Sequence, residues 1–111
     1  IYFEALKSIG HKIGLPFIPE YATNNAHMFY ITCANENERN DLIQFLNRRS
    51  INAVFHYQSL HRSEFFKPRH DGRKLENADK YSSTLVRLPF HLSLTDDQVK
   101  YVAEAIIKFF N

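Results

Sequence analysis

The sequence predicts an α/β fold, an α+β two-layer sandwich in which a small three-stranded sheet is covered mainly by helices on one face. Three observations carry that expectation. Apolar residues recur at helical spacing behind capping signals, and between those segments they switch to short aromatic and β-branched runs. The chain has 111 residues, 44% of them hydrophobic and 23% charged. That length supports one core and excludes a second. Residues 1–111 are therefore read as a single domain, with 1–25 as a linker helix and connector and 26–111 as the α/β core.

The elements follow in order. Phe3, Leu6, Ile9 and Ile13 lie near the helical period before Gly14 and Pro16 break it, so the chain is expected to open on the tail of a helix. Leu15 to Asn25, with Pro16, Pro19 and paired asparagines, reads as a connector. His27 to Cys33 is short and apolar on both faces, which predicts a buried strand. Asn35 and Glu38 have the spacing of a capping box, and Leu42, Ile43, Phe45 and Leu46 form a stripe with Arg39, Asp41, Gln44 and Arg48 outside it. That helix should end near Arg49.

Ile51, Ala53, Phe55 and Tyr57 alternate with Asn52, Val54 and His56, the period-two pattern of a second strand. Gln58 to Glu76 is polar, basic and aromatic, a long loop of the kind that is functional or disordered. Asn77 to Ser83 suits a short helix leading into a third strand at Thr84 to Leu88, stopped by Pro89. In the last helix Thr95 is the N-cap, Gln98 completes a capping box, and Leu94 can staple onto Val99. Val99, Val102, Ala103, Ile106 and Phe110 form its apolar face.

Composition excludes several function classes. Fourteen Lys and Arg against twelve Asp and Glu give a net charge of +2. The signs are interspersed, so no field for nucleic acid or an anionic membrane is expected, and Asn47-Arg48-Arg49 and Lys67 to His70 read as solvated turns. No apolar run is long enough to span a bilayer. The single cysteine, Cys33, leaves no disulfide framework and implies a reducing, cytoplasmic setting. His56 and His61 are five apart with no thiol or carboxylate beside them in sequence, so no metal site is expected. The first residue is not Met, which suggests a piece of a longer chain.

No nucleophile elbow, dinucleotide fingerprint or phosphate loop is present, so no catalytic residue is expected in this chain. What stands out is the cluster His56-Tyr57-Gln58-Ser59-Leu60-His61 just past a strand, where a sheet can fix side chains while the loop varies. It reads either as a binding site or as a solvated loop. Arg87, between Val86 and Leu88, falls on the opposite strand face from both and must meet an anion or solvent.

Three segments in register carry a resemblance: Asn25-Ala26-His27-Met28-Phe29-Tyr30-Ile31, Ala53 to His61, and Ser83-Thr84-Leu85-Val86-Arg87-Leu88-Pro89-Phe90-His91-Leu92-Ser93-Leu94-Thr95. From about Ile13 to Phe110 the chain resembles the small C-terminal domain of the fold-type-I, pyridoxal-phosphate-dependent nucleotide-sugar aminotransferases of the DegT/DnrJ/EryC1/StrS type. It is most similar to the branch that acts on TDP-4-keto-6-deoxyglucose. The resemblance implies a ping-pong transfer of an amino group from glutamate to a nucleotide-linked keto sugar, serving lipopolysaccharide or surface-antigen synthesis. It implies pyridoxal phosphate in the full-length enzyme and none held by this domain alone, since the Schiff-base lysine lies on an N-terminal large domain. It also implies a homodimer at full length.

By the same resemblance His56, Tyr57 and His61 would face the nucleotide sugar. Arg87 would be the arginine that binds the donor α-carboxylate through a bidentate fork. The other reading of Arg87 is a structural salt bridge to Asp79 or Glu76. One departure is Gln58-Ser59, where the family usually has proline before Leu-His, which bears on the backbone shape of this loop and not on the assignment. The alternative to the whole reading is a free-standing α/β interaction or ligand-binding module without enzymatic activity.

Overall fold

A computed structural model describes residues 1–111. Four α-helices and three strands follow one another as α1 (Tyr2–Leu6), β1 (Phe29–Thr32), α2 (Glu36–Asn47), β2 (Val54–Phe55), α3 (Glu76–Thr84), β3 (Leu85–Leu88) and α4 (Asp96–Phe110). The sheet order is β1-β3-β2, antiparallel throughout, so the last strand in sequence is the central one. Phe29 faces Leu88, Ile31 faces Val86, and Tyr30, Arg87 and Val54 form one cross-strand row. Strand alternation then separates two faces. Ile31, Val86 and Leu88 enter the core beneath the helices, and the Tyr30-Arg87-Val54 row lies on the other face.

The core cluster draws Leu6, Ile9 and Ile13 from the first segment, Leu42 and Leu46 from α2, and Val99, Val102, Ala103 and Ile106 from α4. Both long helices start where the sequence signals placed them. The Asn35 side chain accepts the Glu38 N–H at 3.0 Å, while Glu38 accepts from Ala34, one residue earlier than a strict capping box. Thr95 and Gln98 close the full box, with bonds of 2.9 and 3.3 Å. Gly14 sits against Thr32, exchanging both backbone hydrogen bonds at 2.8 and 2.9 Å, and ties the first segment to the sheet edge.

Four local expectations change. The opening helix stops at Leu6 and a 3₁₀ turn at Ile9, short of the expected Ile13, and Tyr2 rather than Phe3 joins Leu6 and Ile9 in the core, because positions 2, 6 and 9 keep one face while Phe3 turns outward under Lys7. β1 is an edge strand with only Ile31 fully covered, since β3 occupies the centre. In the second strand Ile51 and Ala53 are buried but Phe55 and Tyr57 are exposed, and only Val54–Phe55 pair, because Tyr57 leaves the extended conformation for the left-handed region. Arg39, assigned to the outer side of α2, is 6% exposed, bonded to the Ser82 carbonyl and laid over the Phe55 ring. The long loop is partly ordered by two 3₁₀ turns, Leu60–Arg62 and Lys67–Arg69.

Two predictions follow from this packing. Leu46, fully buried between α2 and its neighbours, should lose about 2–5 kcal/mol of unfolding free energy on Leu46→Ala. In the same urea titrations Leu92→Ala, at a fully exposed position, should stay within about 0.5 kcal/mol of the parent. Cys33 is buried, and burial, reinforced by the Glu38 charge and opposed by Arg39, pushes its thiol up to about 12. A thiol-reactive disulfide reagent at pH 8 should therefore label it only after denaturant is added, and prompt native labelling would contradict the packing.

Candidate functional site

The face of the sheet opposite the helices carries the unsatisfied charge. Arg87 stands mid-strand on β3, flanked in register by Tyr30 and Val54. It takes part in none of the ion pairs of the chain. The expected salt bridge to Asp79 or Glu76 is absent, because Asp79 is held instead by His61 and Arg62. Arg87 lines an open hollow of 290 Å³ together with His27, Asn52, Val54, Pro89 and His91.

His56 follows β2 by one residue, and alternation returns it to the side of Val54 and Arg87. Its Nδ1 is buried without a hydrogen-bond partner. Its pKa is lowered from the ordinary histidine value, first by burial and then by the positive charge of Arg87 and by His27. An arginine with no carboxylate partner and an imidazole with one unbonded ring nitrogen thus share this face. A guanidinium is the side chain that grips an anion with two acceptor oxygens bidentately.

Tyr57 stands beside His56 with ring centroids 4.6 Å apart and planes at 53°, and its side chain is 70% exposed. Its φ of 49° is in the left-handed region, where a bulky non-glycine residue is an outlier held by its surroundings. His61 is placed elsewhere. Its Nε2 lies 3.0 Å from Asp79 Oδ1, the same oxygen that Arg62 Nε approaches at 2.9 Å, and its ring packs on His70 at 5.1 Å. It lines a separate hollow with Leu60, Phe66, His70, Leu75 and Ala78, which has no residue in common with that of Arg87.

Of the four residues singled out in the sequence, His56 and Arg87 share a face, Tyr57 adjoins His56, and His61 is bound to α3. Asn52, His27 and His91 were not picked out. The antiparallel register that pairs Phe29 with Leu88 brings the segments holding His27 and His91 together at one sheet end. That register depends on strand order, which the local sequence does not encode. A larger hollow, 630 Å³ between β1 and the connector, is lined mainly by apolar side chains such as Phe3, Phe17, Ile18 and Met28. The chemistry lies in the smaller one.

Residues 1–107 match the profile of the DegT/DnrJ/EryC1/StrS aminotransferase family. Among solved structures, the aminotransferase TlmJ from Streptoalloteichus hindustanus superposes with a TM-score of 0.85 at 20% identity, over 98% of this chain and 29% of that one. DesV of S. venezuelae, in complex with a ketimine intermediate, gives 0.86 at 23% identity over 97% and 29%. A DegT DnrJ EryC1 StrS aminotransferase from Brucella abortus gives 0.80 at 25% identity over 97% and 28%. The chain thus spans less than a third of the length of the proteins it resembles, and over nearly all of its own residues it shares their fold. With the match running through nearly all of its residues, the chain belongs to the DegT/DnrJ/EryC1/StrS aminotransferase family.

Proposed function

We propose that the chain is the C-terminal small domain of a pyridoxal-phosphate-dependent sugar aminotransferase that moves an amino group from glutamate to a TDP-linked 4-keto-6-deoxyhexose. The product would serve lipopolysaccharide or surface-antigen synthesis in a bacterial cytoplasm, and the full-length enzyme would act as a homodimer. Family membership supports the reaction class. The observation that carries this chain's share of it is the unpaired Arg87 beside the partner-free nitrogen of His56.

The residues present do not fit the cofactor itself. All seven lysines stand exposed, whereas a Schiff-base lysine works from a desolvated pocket that lowers its pKa. The reading therefore assigns the cofactor lysine to the rest of the polypeptide and gives this chain substrate binding alone. In a ping-pong reaction both substrates enter one cleft in turn, and each brings an anion: the diphosphate of the nucleotide sugar and the α-carboxylate of glutamate. Arg87 offers a five-donor fork suited to the carboxylate, and His56 a ring nitrogen free for the nucleotide sugar. His56 and Tyr57 then fall on the nucleotide-sugar side and Arg87 on the carboxylate, with His61 acting from behind by fixing the loop.

Two measurements test this. In an NMR pH titration His56 should protonate below about 6.5, the usual histidine value. Arg87→Leu should move it up, and millimolar TDP should move it up as well, because an anion stabilises the imidazolium. Since the folded chain holds His56 below its unfolded pKa, protonation favours unfolding. Its contribution to stability is present above about pH 6.5 and lost as pH falls through the folded value. An ordinary titration that ignores both Arg87→Leu and TDP counts against the anion site. In the full-length enzyme, Arg87→Leu should slow the glutamate half-reaction about tenfold or more and leave the sugar half-reaction nearly untouched. If the variant loses only thermal stability, Arg87 is structural.

A further inference from the structure

Ser59 is one of only three buried polar residues, 7% exposed although it belongs to no helix or strand. Its hydroxyl lies 3.0 Å from the Ala78 carbonyl and 2.9 Å from the Ser82 hydroxyl, which reaches the Asp79 carbonyl at 3.2 Å. Two residues further on, His61 and Arg62 close on the Asp79 carboxylate from the same side of α3. A single turn of α3 thus holds the loop at two points. Immediately before the first point, Tyr57 adopts its left-handed conformation. A residue in that region keeps it only where its neighbours over-determine the backbone.

We propose that Ser59 is a positioning residue: its hydroxyl, pinned to Ala78 and Ser82, holds the left-handed backbone at Tyr57 and so sets His56 and Tyr57 at the open face of the sheet. The ligand-binding consequence rests on the proposed substrate reading, whereas the ordering of the loop does not. The clamp is local and directional. Deleting one buried hydroxyl leaves two α3 groups without that partner, and the loop is free to leave that conformation. The backbone of Ser59, with φ −56° and ψ 131°, already has the φ that a proline ring imposes. Its N–H donates to no backbone carbonyl. Proline can therefore replace the hydroxyl restraint with a covalent one at this position.

The experiment compares the parent chain with Ser59→Ala and Ser59→Pro. Backbone ¹⁵N relaxation and amide exchange report residues 56–62, and TDP, used as the probe, is titrated by chemical-shift changes. Ser59→Ala should loosen residues 57–62 while α2, α4 and the sheet keep their protection. If the competent loop falls to about one fifth of the population, the TDP dissociation constant rises about fivefold. Ser59→Pro should return both loop order and affinity without the hydroxyl, a rescue that loss of a merely stabilising bond would not give. Ser82→Ala, which removes only the partner hydroxyl, should loosen the same residues to a lesser degree, and it serves if Ser59→Ala does not fold. Unchanged relaxation in both alanine variants, or a folded Ser59→Pro chain whose loop stays mobile, overturns the proposal. A loop that loosens and is rescued while TDP binding is equal in every variant, or undetectable in all, upholds the clamp and removes the substrate reading instead.

Discussion

Everything in this molecule is arranged around one strand that must satisfy two environments at once. β3 is central, hydrogen-bonded on both sides, so each of its side chains is committed to one face by alternation. Val86 and Leu88 enter the helix-covered core, fully or almost fully buried, and this fixes the register of both edge strands. The same constraint sends Arg87 to the opposite face with no freedom to escape. A one-residue slip would bury the guanidinium under α2 and α4 and expose two core side chains. The hydrophobic effect on one side of the strand thereby sets the position of a charge on the other.

The second level of organisation is how the loop after β2 is kept from wandering. Only Val54–Phe55 pair with β3, and two paired residues are a weak anchor. The additional hold comes from α3, the helix that leads directly into β3. Ser59, His61 and Arg62 attach to Ala78, Asp79 and Ser82, while Arg39 reaches across from α2 to the Ser82 carbonyl. The loop, α3 and the central strand are thus mechanically continuous, and the orientation of His56 is tied to the strand that carries Arg87.

Much of this was legible in the residues. Thr95 with Gln98, and Asn35 with Glu38, marked helix starts because capping is local chemistry within one turn. The strand at Leu85 to Leu88 and the apolar face of α4 followed from periodicity. What could not be read depends on which strand neighbours which. Tyr57 stands on the apolar phase of a strand, yet its backbone is left-handed and the strand ends before the phase applies. Arg39 looked like a solvent residue by helical phase, and only the arrival of Phe55 and the α3 carbonyls makes its position buried. His61 resembled His56 in sequence context, but Asp79, eighteen residues later, captures it. The hollow around Arg87 collects positions 27, 52, 87 and 91, which no local pattern connects.

The electrostatics of the open face support the proposed binding role. Arg39 is paired with Glu36 and Arg62 with Asp79, whereas Arg87 has no carboxylate partner. Arg87 is partly buried and unpaired, beside an imidazole that burial and Arg87 itself keep from protonating. On the proposed reading an anion would give the guanidinium its fork and the imidazole a partner that stabilises its charged form. Whatever it meets, Arg87 is held at the open face because its strand neighbours Val86 and Leu88 are committed to the core.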